Sequence, residues 1–104
     1  MIKIKVDLKA EGRVLYAFIN GEIDHHTSKE IRDKIDSEIE SINPASLVID
    51  LGDVSFMDSS GVGIILGRYK LMRSIGGKIQ IKSPKKEIKR ILSLSGVERL
   101  VDID

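Results

Sequence analysis

The chain has 104 residues, room for a single domain spanning 1–104 and no second core. Hydrophobic residues make up 41% and charged residues 32%, with a net charge of +1, the balance of an ordinary soluble globule. The absence of cysteine excludes a disulfide framework and a thiolate metal site, and four aromatics without a dense basic stripe argue against nucleic-acid binding.

Ile2, Ile4, Val6 and Leu8 alternate with polar residues, which predicts a strand with one buried face. The same alternation rules out a signal peptide, and no apolar run approaches membrane-spanning length, so a cytoplasmic, membrane-free protein is expected. After a turn at Gly12, Val14 to Asn20 forms a second strand closed by Gly21. Thr27-Ser28-Lys29-Glu30 has the spacing of a capping box, with threonine and glutamate exchanging hydrogen bonds across a helix start. The helix it opens carries Ile31, Ile35, Ile39 and Ile42 on one stripe and stops before Pro44.

Leu47 to Leu51 is a short apolar strand, followed by a loop from Gly52 to Asp58 and a second helix over about Ser60 to Ile75. Gly76-Gly77 ends that helix. Lys78 to Lys82 is another alternating strand. Ser83-Pro84 reads as an N-cap with proline at the first helical position. Ile88, Ile91 and Leu92 form the third helix's core stripe, Gly96 closes it, and Leu100, Val101 and Ile103 form a last strand. The order β-β-α-β-α-β-α-β predicts an α/β domain with a mixed sheet, an N-terminal hairpin followed by parallel strands.

The stretch Ser55-Phe56-Met57-Asp58-Ser59-Ser60-Gly61-Val62-Gly63 joins a strand to a helix, where α/β domains place their sites. Asp58 or Ser59 can cap the helix, and its free N–H groups favour an anion; capping alone is the account that residue chemistry by itself favours. Enzyme motifs fail at this position. A nucleophile elbow around Ser59 needs glycine where Met57 stands, a P-loop is not supplied by Gly67-Arg68-Tyr69, and a dinucleotide fingerprint from Gly61 needs a small residue where Leu66 stands. Glu22, Asp24, His25 and His26 make a second polar cluster. Neighbouring histidines on extended chain point apart, which disfavours a shared metal.

On the second helix Val62, Ile65, Leu66, Tyr69 and Met72 fill one face, with Ile64, Leu71 and Ile75 nearly opposite. Gly63 and Gly67 lie on a third face, open either to close helix packing or to a docked partner.

Asn20 to Thr27, Ser55 to Gly63 and Leu66-Gly67-Arg68-Tyr69-Lys70 together resemble the STAS-domain anti-sigma-factor antagonists, over nearly the whole chain and in the same order. The Asp-Ser-Ser-Gly loop is similar to that of the wider family, and the other two stretches are similar to its sporulation branch. Members of the family usually continue into a further helix past the position of Asp104.

The resemblance implies a regulatory binding protein rather than an enzyme. Its unmodified form would bind an ATP-dependent serine kinase that doubles as the anti-sigma factor, freeing sigma F. Phosphorylation of Ser59 would end the contact, and a separate serine phosphatase would reset it. ATP would belong to the kinase, leaving this chain with no cofactor, no metal, and a monomeric free state. The docking surface implied is Asp24, Asp58, Ser59, Ser60 and Gly61, with Asp58 shaping the loop and Ser60 and Gly61 supplying the helix-start backbone.

Overall fold

The computed structural model describes residues 4–104, so the predicted strand start at Ile2 lies outside the described residues. In chain order the elements are β1 (Ile4–Glu11), β2 (Val14–Ile23), α1 (Ser28–Ile42), β3 (Ser46–Met57) and α2 (Ser59–Ser74). These are followed by β4 (Lys78–Lys82), α3 (Lys86–Ser95), a 3₁₀ turn (Val97–Arg99) and β5 (Asp102–Ile103). One five-stranded sheet runs in the order β1-β2-β3-β4-β5. The β1–β2 pair is antiparallel and the others are parallel, the mixed sheet expected from the element order.

Each crossover from β2 onward steps one strand in the same direction. The right-handed rule therefore sets all three helices on a single face of the sheet. Strand alternation agrees: Leu15, Ala17 and Ile19 of β2 are buried, while Phe18 is exposed on the opposite face, its ring stacked on Tyr16 at 6.2 Å. Ile31, Ile35 and Ile39 bring α1 onto the buried face with Leu47, Ile49 and Ile81. Ile42, the fourth member of the predicted stripe, sits in the last turn and is exposed.

The main correction to the expected loop from Gly52 to Asp58 concerns residues 52–57, which belong to a strand. β3 runs on to Met57 because two irregularities in its pairing with β2, between Phe18 and Asn20 and between Gly21 and Glu22, each let one extra β3 residue pass. Such bulges bend a strand and break its two-residue period. Leu51, Val54 and Met57 are accordingly buried at every third position, a spacing that alternation cannot reveal.

Two helix starts also differ. The predicted capping box does not form: Thr27 makes no side-chain cap bond, its hydroxyl instead donating to the Glu22 carbonyl at 2.8 Å and accepting from the Asp24 N–H at 3.0 Å. Glu30 pairs with Lys34. The backbone of a strand end carried beneath a helix needs partners, and the buried threonine supplies them. For α3, Lys85 rather than Ser83 is the N-cap, and Ser83 adopts a left-handed φ of 57°. A left-handed Ser83 lacks the extended backbone of an N-cap, which Lys85 has, and the helix starts two residues on.

The wheel drawn for α2 is rotated as well. Its buried residues are Gly61, Ile64, Ile65, Arg68 and Met72. Val62, Leu66, Tyr69 and Leu71 are only partly buried. The middle helix of three packs along its flanks as well as its base, so hydrophobicity alone misjudged the centre of the contact.

Candidate functional site

Asp58 and Ser59 stand at the carboxyl end of β3, next to the end of β2. The Asp58 N–H donates to the Ile23 carbonyl at 3.1 Å, tying the start of α2 to the neighbouring strand. Asp58 is the N-cap: its backbone is extended, and Oδ1 accepts from the Ser60 N–H at 2.8 Å. One of the four free amides of the helix start is thereby satisfied. Ser59, the first helical residue, is exposed and forms no side-chain hydrogen bond among the described residues.

Gly61 is buried, and the space where a Cβ would stand is filled by Met57 Cγ and Sδ, with Ile23 Cγ2 at 3.3 Å. This glycine lets the first turn of α2 lie directly on the ends of two strands. It is therefore a packing residue as well as part of the helix-start backbone. At Gly63 and Gly67 a Cβ would meet nothing within 4 Å. The two glycines do not serve close helix packing, which leaves the open-surface alternative.

Asp24 lies beside this helix start, in the turn that follows the adjacent strand. Its Oδ1 accepts from the N–H groups of His26 at 2.8 Å and Thr27 at 3.0 Å. Desolvation pushes the Asp24 carboxyl up, but those backbone bonds, the Thr27 hydroxyl and the nearby His26 outweigh it, and the carboxyl titrates below the usual carboxylate range. His25 and His26 do not point apart as an extended chain would require. They occupy a turn, both exposed, with rings edge to face at 5.7 Å. No group of three potential metal ligands occurs among the described residues.

What the sequence reading missed is the surface next to Ser59. An apolar groove of about 420 Å³ runs between the start of α2 and the end of α3, lined by Asp58, Ser59, Val62, Ile91, Leu94 and Ser95. Leu94 is 79% exposed, far more than any core residue. A signal was present, since Leu94 falls off the Ile88–Leu92 stripe of its own helix. The site thus combines an exposed hydroxyl at a helix N-terminus with an adjoining apolar surface. An exposed hydroxyl beside an apolar surface is the make-up of a recognition site.

The STAS domain matches residues 5–104. An anti-sigma F factor antagonist from Paenibacillus polymyxa is 34% identical over 98% of this chain and 87% of its own length. The chain belongs to the STAS-domain family, among the anti-sigma-factor antagonists. An anti-sigma-B factor antagonist from Bacillus subtilis is 31% identical over 98% of this chain and 92% of its own. Among solved structures, the anti-sigma factor antagonist SpoIIAA in its unphosphorylated form superposes with a TM-score of 0.83 at 28% identity, covering 96% of this chain and 88% of that one. SpoIIAA from Bacillus in the phosphorylated form gives 0.75 at 28% identity, covering 96% and 91%. STAS anti-sigma-factor antagonists are regulatory binding proteins, not enzymes, and this chain is one of them.

Proposed function

We propose that this antagonist binds an anti-sigma factor that is also an ATP-dependent serine kinase, and that phosphorylation of Ser59 switches the binding off. The observation that carries this reading is Ser59 itself, exposed at the N-terminus of α2 on the rim of an apolar groove. In the free protein the helix dipole and unpaired amides tolerate an added phosphate, about −1.5 to −2 charges at neutral pH. A partner seated on the groove would dehydrate that charge beside Asp58, at a cost of several kcal/mol or so when it is poorly compensated. Release then needs no refolding. The similarity of this chain to SpoIIAA in both its phosphorylated and unphosphorylated forms supports a fold that accepts either state.

Asp24, Asp58 and Ser60 complete the docking surface in this reading, on the ends of two adjacent strands and the first turn of α2, with the buried Gly61 setting that turn on the strands behind it. ATP enters with the kinase, this chain needs no cofactor of its own, and a separate serine phosphatase restores the hydroxyl. The free antagonist is monomeric and cytoplasmic. The regulated factor is sigma F and the process sporulation, supported by the 34% identity to an anti-sigma F factor antagonist. The 31% identity to an anti-sigma-B factor antagonist supports a stress-response partner as the second reading.

Titration calorimetry against both kinases, with ATP and with ADP, separates the two. Ser59→Ala is expected to bind and to remain unphosphorylated by mass spectrometry, and Ser59→Asp to bind more weakly with an unchanged melt. Equal affinities for the two variants would remove charge at position 59 as the release mechanism.

A further inference from the structure

On a different flank of α2 from the apolar groove, a cleft of about 370 Å³ opens toward α1. Ser28, Arg32, Ser60, Gly63, Gly67 and Arg68 line it. Arg68 is the unusual member: its side chain is only 8% exposed, and its one ionic partner among the described residues is Asp36 on α1, with Nε 2.8 Å from Oδ1. That contact is not aligned as a hydrogen bond, and Nη1 has no hydrogen-bond partner among the described residues. A guanidinium carries five N–H donors in a rigid fork, and buried donors are rarely left unpaired. Burial pushes the Arg68 guanidinium down and the Asp36 carboxyl up despite their mutual attraction, so neither charge is fully compensated by the other.

Arg32 and Arg68 are the charged residues that line the cleft. Arg32 is exposed on its wall, with Asp33 Oδ1 3.7 Å from its Nε, and Asp33 is itself engaged by Lys29 at 2.6 Å. Asp36 faces Arg68 from α1, with Glu40 adding negative charge from farther along that helix. The cleft is thus lined by two arginines, while the carboxylates nearest them, Asp33, Asp36 and Glu40, do not line it. Gly63 and Gly67 keep the floor at backbone level, although glycine inside a helix is less stable than alanine and nothing stands within 4 Å to require it.

We propose that this cleft binds a phosphate group, held between the guanidiniums of Arg32 and Arg68 with the Ser28 and Ser60 hydroxyls as further donors. The donors lie on opposing walls. A tetrahedral anion directs oxygens to both, whereas a planar carboxylate engages one fork. Ser59 does not line the cleft, which meets the docking surface proposed above only at Ser60.

The test uses the full chain in proton–nitrogen NMR, following backbone amides and the Arg68 Nε–H. Inorganic phosphate, glycerol 3-phosphate, acetate and sodium chloride are titrated at matched ionic strength. Saturable shifts with phosphate at Arg68, Ser60, Gly63 and Gly67, absent with chloride, are expected; saturation by the ester alone would identify an organic phosphate as the ligand. Arg32→Gln, on an exposed side chain, is expected to weaken phosphate binding at least about tenfold, the contribution of one charge-assisted hydrogen bond. Gly67→Gln, which places a side chain in the cleft, is expected to abolish saturation with a melting temperature no lower than that of the wild type. Shifts that follow chloride, saturation by acetate but not phosphate, or unchanged phosphate affinity in both folded variants would each overturn the proposal.

Discussion

Alanine at Gly61 and alanine at Gly63 should change stability in opposite directions, although the residues lie two apart on one helix. At Gly61 the added methyl enters space held by Met57 Cγ and Sδ, with Ile23 Cγ2 at 3.3 Å. Met57 is buried at 3% exposure, so its flexible side chain can yield only by displacing core neighbours. Overpacking of this kind costs about 1–3 kcal/mol. The gain from replacing helical glycine is at most about 1 kcal/mol, and less in a first turn. The net expectation is a loss of about 1–2 kcal/mol, or ~4–8 °C in Tm for each kcal/mol in a domain of this size. At Gly63 the methyl meets nothing, and only the propensity gain of about 0.5–1 kcal/mol remains. Urea unfolding of both variants and the wild type, fitted with a common m value, measures the two differences. A Gly61→Ala protein as stable as wild type would show that Met57 does not pin the start of α2. Pairing Gly61→Ala with Met57→Ala should then give a non-additive result if the two side chains compete for one space.

Asp24→Asn should lower stability at neutral pH, read by thermal melts across a pH series. Because the Asp24 carboxyl titrates below its unfolded value of 3.8, its stabilisation is present above that pH and is lost as pH falls through the lower folded value. The variant should therefore lose part of the wild type's acid sensitivity, and parallel pH profiles would contradict the assigned hydrogen bonds. Asp58→Ala should cost about 1 kcal/mol through loss of the cap on Ser60 N–H, measured by urea unfolding; Asp58→Asn or Asp58→Ser should restore most of it. Asp36→Asn leaves Arg68 charged and nearly buried, and should destabilise by about 2 kcal/mol, below the full cost of breaking a buried pair because Asp36 keeps 27% exposure. Arg68→Met, which removes the buried charge, should be the milder change in the same assay.

Apolar periodicity and breaker residues were sufficient for the element order, the hairpin followed by parallel strands, and the Ile31–Ile35–Ile39 face of α1. These are local properties, set within a few turns of chain. The Asp58–Gly61 segment was also legible, because a strand-to-helix junction with a capping aspartate and a glycine is a pattern of neighbours in sequence.

The remaining features depend on contacts between residues far apart. Gly52 and Asp53 carry turn chemistry, yet they pass through β3 because the pairing with β2 absorbs two extra residues. Thr27 has the spacing of a capping box, but the buried end of β2 competes for its hydroxyl and takes it. Arg68 is buried because α1 lies over it and sets Asp36 against its Nε, which the spacing of its own helix does not indicate. Leu94 reaches the groove beside Ser59 only because α3 ends where α2 begins in space, some thirty residues away along the chain. Local chemistry thus determined which residues could form helices, strands and a capped serine. Which apolar surface adjoins that serine, and which charge is buried across the helices, was decided by packing in three dimensions, because desolvation and pairing depend on neighbours that sequence spacing does not specify.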